Sequence, residues 1–415
     1  MTETDTSRAA EATRVINAAM TLVAESGLRG LTLRDLAQAV GKSTTVIVNL
    51  FGAKAGVVEA MANAAYDLDE AYHRDFAAEA GDVAFGRDAL FALVGRYLRD
   101  RALPSAAFAR VRQEMLAAST SYDFAASLLV RWETMRRATW THILAHTPRL
   151  EAYGDVLATY LIVEEFYAGA LAERAEYEMI AAEGLGGLID HMFGRLDDPT
   201  PATDRYVDRF VIPGAPGDLL EPGSMKLKLL EAAADQILAE GVSAVTNRSV
   251  SGAVGTSTST IAYHWSDMRA FVTDALWHAV FRGMPRYLDH RRPSGDARPD
   301  DARWTELMLL TLQPDGPGGR GFYVNYARLI AGICLEARRN PGFRELAMML
   351  RGPEGGGTYV NRDDLWPTHF DLTRRAATRF ALWIKGEALA AAATGRAPSP
   401  ARLKQAAALL VSERS

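Results

Sequence analysis

Two short stretches concentrate hydroxyl, amide and basic side chains at spacings suited to nucleic acid: "GKSTTVIVNLF", residues 41 to 51, and "GTSTSTIAYHW", residues 255 to 265. A helix can enter a major groove so that residues near its N-terminal end reach base edges, while backbone amides and basic side chains hold phosphates. On that basis Lys42, Thr44, Thr45 and Asn49 in the first stretch are candidate reading residues. Thr256, Thr258, Ser259, Tyr263 and His264 are their counterparts in the second. Thr32 with Arg34, and Thr246 with Arg248, would open the preceding helix that crosses the backbone, and Lys54 would open the following one. Hydroxyls discriminate bases weakly beside a bidentate Arg or Asn, so DNA shape would carry much of any specificity. The competing reading is that these Ser and Thr residues merely cap helices.

The elements that would position them occur twice. Laying residue 14 on residue 228 and continuing without a gap to 58 on 272 gives twelve identities in forty-five positions, among them Gly27, Thr32, Arg34, Gly41, Ser43 and Thr44. Val15, Ile16 and Val23 face Leu229, Leu230 and Ile237, and Phe51 faces Trp265. Matches of Gly, Thr, Arg and Ser at one fixed offset indicate a duplication. Within each copy, Val15, Ala19, Leu22 and Val23 have helical spacing, and Gly27 is placed to end that helix in a left-handed conformation. Thr32 with Asp35 three residues on forms a capping-box-like pair, Gly41 ends the second helix, and Ser43 is placed to cap the third. Gly241, Thr246, Gly255 and Ser257 are expected to do the same in the second copy. Two short helices joined by a glycine turn and pinned on a longer first helix make a helix-turn-helix unit.

Both segments, "ESGLRGLTLRDLAQAVGKSTTVIVNLFGAK" at 25 to 54 and "AEGVSAVTNRSVSGAVGTSTSTIAYHWSDM" at 239 to 268, resemble the N-terminal DNA-binding region of TetR-like (tetracycline-repressor-like) regulators. The resemblance covers some forty-five residues per copy. The family's Tyr near the end of the third helix is Val48 in copy one and Ala262 in copy two, although Tyr263 and His264 keep part of that neighbourhood. The Lys opening the fourth helix is kept as Lys54 and replaced by Met268. Over 14 to 58, five cations against Glu25 and Asp35 leave 5 - 2 = +3, whereas over 226 to 269 four cations meet four carboxylates and leave zero. Copy one is therefore better supplied for phosphate. Regulators of this family generally act as homodimers of shorter chains, so two units here resemble a dimer written as one polypeptide, with a homodimer of fused chains as the competing arrangement. Because the two reading stretches differ, the expected operator is not a perfect palindrome.

The rest of each half reads as helix, as in "FAASLLVRWETMRRATWTHIL" and "YVNYARLIAGICLEARR". The organisation expected is an N-terminal arm and first helix-turn-helix domain over 1–58, a first helical ligand-binding and dimerisation domain over 59–195, a Pro- and Gly-rich linker over 196–224, a second helix-turn-helix domain over 225–272, and a second helical domain over 273–415. The resemblance implies a pocket for a small effector in such helical domains. Trp132, Trp140, Tyr160, Phe166 and Tyr167 in half one, and Trp304, Phe322, Tyr326, Trp366 and Trp383 in half two, are the aromatics that could build it, the alternative for each being plain core. Within the linker, Tyr206, Phe210 and Val211 are candidates for packing. His142 and His146 have metal-pair spacing but no evident third ligand, and "GGRG" at 318–321 and "EGGG" at 354–357 lack the strand-to-helix context of a phosphate loop and read as flexible loops.

Composition sets the outer bounds. With 415 residues, about half apolar, the chain can bury two or three cores, and its net charge of -5 argues against wholesale coating of nucleic acid while leaving room for a local basic site. The single cysteine, Cys334, excludes an internal disulfide and reads as core. No run approaches the roughly 18 uninterrupted apolar residues of a membrane span, and the first twenty residues are too polar for a secretory signal, so a cytoplasmic location is expected. Nothing resembles a serine or cysteine nucleophile motif, and neither enzymatic activity, a metal nor a cofactor is expected. The sequence thus points to an all-α, tandem TetR-like transcriptional regulator, an effector-responsive repressor partnered by double-stranded operator DNA and a small molecule. The rival is a ligand-binding or protein-interaction module in which one or both helix-turn-helix units have lost DNA binding.

Overall fold

The computed structural model describes residues 3–118, 121–197, 202–207, 216–282, 298–313 and 321–413. The described chain is all-helical apart from one two-residue antiparallel ladder, β1 (Phe370–Asp371) with β2 (Ser412–Glu413), which alternation in the sequence did not announce. Phe210 and Val211 lie outside the described residues, as do 318–320 of the "GGRG" run. Among the described residues no single helix is long and apolar enough to cross a membrane.

The helices run α1 (Glu3–Gly30), α2 (Leu33–Val40), α3 (Thr44–Phe51), α4 (Lys54–Ala80), α5 (Arg87–Ala102), α6 (Ala107–Ala117), α7 (Ala125–Leu144), α8 (Gly154–Leu171), α9 (Ala175–Met192) and α10 (Ala202–Val207). After them come α11 (Met225–Glu240), α12 (Asn247–Val254), α13 (Ser259–His264), α14 (Met268–Phe281), α15 (Asp301–Leu312) and α16 (Phe322–Arg339). The last five are α17 (Arg344–Arg351), α18 (Gly356–Val360), α19 (Arg362–Leu365), α20 (Arg374–Thr394) and α21 (Pro400–Leu410). They gather into two compact units, 1–85 with 96–158 and 393–395, and 86–95 with 159–392 and 396–415.

In the first unit α1 packs on α4 and α6, and α4 on α6 and α7. Its centre is tightly filled and partly polar. The Asp69 carboxylate accepts from Arg101 at 2.6 and 3.1 Å and from the Trp132 indole at 3.0 Å, with all three side chains essentially excluded from solvent. Burial pushes the Asp69 carboxyl up, but Arg101 and His73 outweigh it and hold the group well below the usual carboxylate range. Trp140 stands edge-on to Tyr97 at 5.1 Å and to Phe76 at 6.0 Å.

The second unit contains α9 and α8 from Thr159 onward, together with α20 and α21. A side-chain carbon at Gly386 would run into the Thr159 carbonyl oxygen, so α8 and α20 can approach this closely only with glycine there. Arg402 Nη2 donates to Thr159 Oγ1 at 2.8 Å, and Arg375 pairs with Glu183 at 2.7 Å. The His191 ring donates through Nε2 to the Leu409 carbonyl at 3.0 Å. Deepest in this seam, Arg351 and Glu164 form an ion pair at 3.1 Å, both nearly fully buried, and the Tyr177 hydroxyl donates to the same carboxylate at 2.8 Å.

Candidate functional site

The backbone of the two helix-turn-helix segments repeats conformation at the duplicated glycines. Gly27 lies at φ 75, ψ 168 and Gly241 at φ 89, ψ 167, while Gly41 lies at φ 66, ψ 37 and Gly255 at φ 72, ψ 35. The second pair takes the left-handed turn expected of a helix end. The first pair does not: its ψ near 170 belongs to a region that essentially only glycine visits, so the turn after the first helix is more exacting than a left-handed cap. Thr32 and Thr246 sit at the N-caps of α2 and α12, and each accepts a bond from the backbone three residues on, at 3.1 and 3.0 Å. In the second copy the bond is reciprocated by Ser249, completing a capping box.

The third helices differ from expectation. Ser43 occupies the N-cap of α3 without a side-chain cap bond. In the second copy α13 runs from Ser259, Thr258 before it already has helical φ/ψ and makes no side-chain cap bond, and the Ser257 carbonyl accepts from the Thr260 N–H at 3.1 Å as the Ser43 carbonyl does from Val46. The Ser257 hydroxyl bonds Ser259 at 2.7 Å and Thr260 at 3.2 Å, and Thr256 bonds Thr260 at 2.8 Å. α13 is correspondingly the shorter helix, six residues against eight.

On the first copy Thr32, Arg34, Lys42, Thr44, Thr45 and Asn49 are exposed, and Lys54 is half-buried, its ammonium pKa lowered by desolvation. Lys42 pairs with Glu11 at 2.8 Å, which answers part of its charge. Arg8, not singled out in the sequence, donates to the Asn49 carbonyl at 3.3 Å and so adds a cation beside α3, which it reaches because α1 extends back to Glu3. On the second copy Thr246, Arg248, Thr258 and Ser259 are exposed, Thr256 and His264 are half-buried, and Tyr263 is 85% exposed. Such exposure of a large aromatic leaves its ring available for stacking or groove contact. Trp265, below it, is anchored by its indole N–H to Asp274 at 2.8 Å and packs edge-on against Phe271.

Each helix-turn-helix is docked to its own half just past the glycine break. The Leu28 N–H donates to the buried Glu114 carboxylate of α6 at 3.0 Å. In the second half the turn Val242–Ala244 packs on α16, with Val242 against Gly332.

The aromatics proposed for a pocket separate into three environments. Trp132 and Trp140 belong to the filled core of the first unit. Tyr160, Phe166 and Tyr167 are buried on α8 in the seam, where the Tyr167 hydroxyl reaches Glu354 at 3.5 Å. In the second half Phe322, Tyr326 and Trp366 line a cavity of about 360 Å³, together with Trp277, Phe281 and Phe380. Trp304 and Trp383 are not in its lining and pack behind it, Trp304 on Trp366 at 5.0 Å and Trp383 on Phe380 at 5.8 Å. The residues missed are polar: Glu354 and Lys385 form a buried ion pair in the cavity wall. The "EGGG" run is no flexible loop. Gly355, at φ 76 and packed against the Ala377 backbone, starts α18, and the turn delivers Glu354 to the wall.

Cys334 is buried and burial pushes its thiol pKa up, as fits a core residue. His142 and His146 both face Asp82 Oδ1 at 3.4 Å, yet no group of three His, Cys, Asp or Glu among the described residues is arranged to hold a metal. The chain matches no family model and no curated protein.

Proposed function

We propose that the chain is a TetR-like transcriptional regulator in which two tandem units form an intramolecular pseudo-dimer, bind double-stranded operator DNA, and release it when a small effector fills the second-half cavity. The observation that carries this reading is the repeated backbone frame. At a fixed offset of 214 residues, paired glycines adopt matching φ/ψ and paired threonines cap the same helix, each time presenting a short helix with exposed Thr and Ser at its start. Packing of α8 and α9 with α20 and α21 supports the pseudo-dimer, since the closing helices of the two halves meet there.

Coupling between effector and DNA has a physical carrier in α16. Tyr323 and Tyr326 line the cavity, and Gly332, six residues beyond Tyr326 and about 9 Å along the axis, meets the turn that holds the second helix-turn-helix. A ligand that prefers one position of α16 shifts the population of reading-helix orientations.

The test is selection of duplexes from a random pool by the intact chain, followed by a footprint and a salt titration. Two unlike half-sites, with affinity falling steeply as salt rises, are expected. Loss of binding in the K42A/N49A variant with no effect of Y263A assigns DNA reading to the first copy alone. That second reading is favoured by the balanced charge of copy two and by Met268 in place of a lysine. Failure to enrich any duplex would overturn DNA binding and leave a ligand-binding or interaction module.

A further inference from the structure

We propose that the second-half cavity takes an uncharged, ring-bearing molecule with a single oxygen acceptor, and that an N–H of Lys385 holds this oxygen. The inference deepens the effector reading and rests on it. At about 360 Å³ the cavity lies near the lower end of the range for drug-sized ligands, about 300–1,000 Å³. Seven aromatic residues line it, and Met308 and Met349 share the wall.

Among the described lining residues the charged groups are Lys385 and Glu354, beside the neutral polar side chains of Thr358, Asn361, Tyr323 and Tyr326. Lys385 and Glu354 are 3% and 4% exposed and pair with each other, so the wall carries a charge pair that is neutral as a whole. The two partners are unequally supplied. Glu354 accepts from Lys385, from the Gly355 N–H at 3.2 Å and from the Tyr167 hydroxyl at 3.5 Å, which leaves it little need of another donor. An ammonium has three N–H groups and accepts nothing. Lys385 gives one of them to Glu354 and otherwise faces the Tyr326 ring at 4.6 Å. Among the described residues Lys385 therefore has N–H groups to spare for a ligand oxygen.

Charge decides the class. Of the nearby cations, Arg351 pairs with Glu164, and Arg374 hydrogen-bonds the Glu354 carbonyl and Thr378 and lies in the field of Asp204 as well as of Glu354. A ligand carboxylate would leave one unbalanced negative charge among aromatic walls, and a ligand ammonium one positive charge, each with a large desolvation penalty. A carbonyl oxygen takes the N–H without altering the balance.

Three matched probes on the intact chain test this: diphenylmethane, benzophenone and diphenylacetate, with affinities read by equilibrium dialysis in the absence of DNA. Benzophenone is expected to bind about tenfold or more tighter than diphenylmethane, the factor supplied by a hydrogen bond to a charged donor. Diphenylacetate should bind more weakly than benzophenone. Near-ultraviolet illumination of the benzophenone complex should place adducts on Met308 or Met349. In the double variant K385M/E354Q, which leaves neither partner unpaired, the ketone should lose its advantage over the hydrocarbon. Tightest binding by diphenylacetate, equal binding of ketone and hydrocarbon, adducts elsewhere, or no binding by any probe would each overturn the proposal. Because no DNA is present, these results are independent of whether the chain binds an operator.

Discussion

Replacing Arg351 by methionine removes the guanidinium from the seam while keeping much of its volume, and the structure sets what this should cost. The Arg351 and Glu164 side chains are 1% and 2% exposed and meet at 3.1 to 3.3 Å. In R351M the Glu164 carboxylate stays buried with the Tyr177 hydroxyl, at 2.8 Å, as its remaining described donor. Breaking a buried pair from one side leaves an uncompensated charge and costs about 3–5 kcal/mol, a large share of the roughly 5–15 kcal/mol that holds a domain. E164Q alone strands the cation instead. In R351M/E164Q both charges are gone, and replacing both members of a buried pair is often close to neutral. The double variant should then be more stable than R351M. Urea unfolding of the four proteins, followed by far-ultraviolet circular dichroism, closes this cycle. A loss under about 1 kcal/mol in R351M, or losses that simply add in the double variant, would refute the claim that this pair is a desolvated, mutually dependent element of the seam.

Two further outcomes follow from the same structure. Burial lowers the His191 pKa from 6.5 to about 4, so between those values the unfolded chain binds the proton and the folded chain does not. Stability must therefore fall as pH drops from 6.5 to 4, by up to about 3 kcal/mol at 1.36 kcal/mol per pKa unit, and H191N should remove that part of the slope in a series of urea midpoints against pH. At the glycines, G41A meets no atom within 4 Å of the added carbon and should cost only the left-handed backbone term, about 1–2 kcal/mol. G27A, forced to ψ 168 at positive φ, should cost more, and equal shifts of thermal midpoint would show that the Gly27 conformation is not held as described.

What could be read from the sequence was local. Glycines at helix ends, threonines at N-caps and apolar residues at helical spacing act on neighbours a few positions away, so helical class and the repeated turns and caps follow from order alone. The exceptions are instructive. Ser43 makes no side-chain cap bond and the Ser257 hydroxyl turns to Ser259 and Thr260 instead, because which partner a hydroxyl takes depends on local geometry that propensity does not resolve. The "EGGG" run read as a loop because its role depends on the Ala377 backbone against which Gly355 is pressed.

Only the tertiary structure decided which of ten aromatics line a cavity and which are core. Phe322 and Trp304 look alike in sequence, yet one faces the space and the other packs behind it, because helices far apart in the chain determine what each side chain meets. The same holds for Glu354 with Lys385 and for Glu164 with Arg351, 31 and 187 residues apart. Charge pairs of that kind are invisible to periodicity, since burial is a property of the assembled fold, and desolvation makes them matter only once water has been excluded.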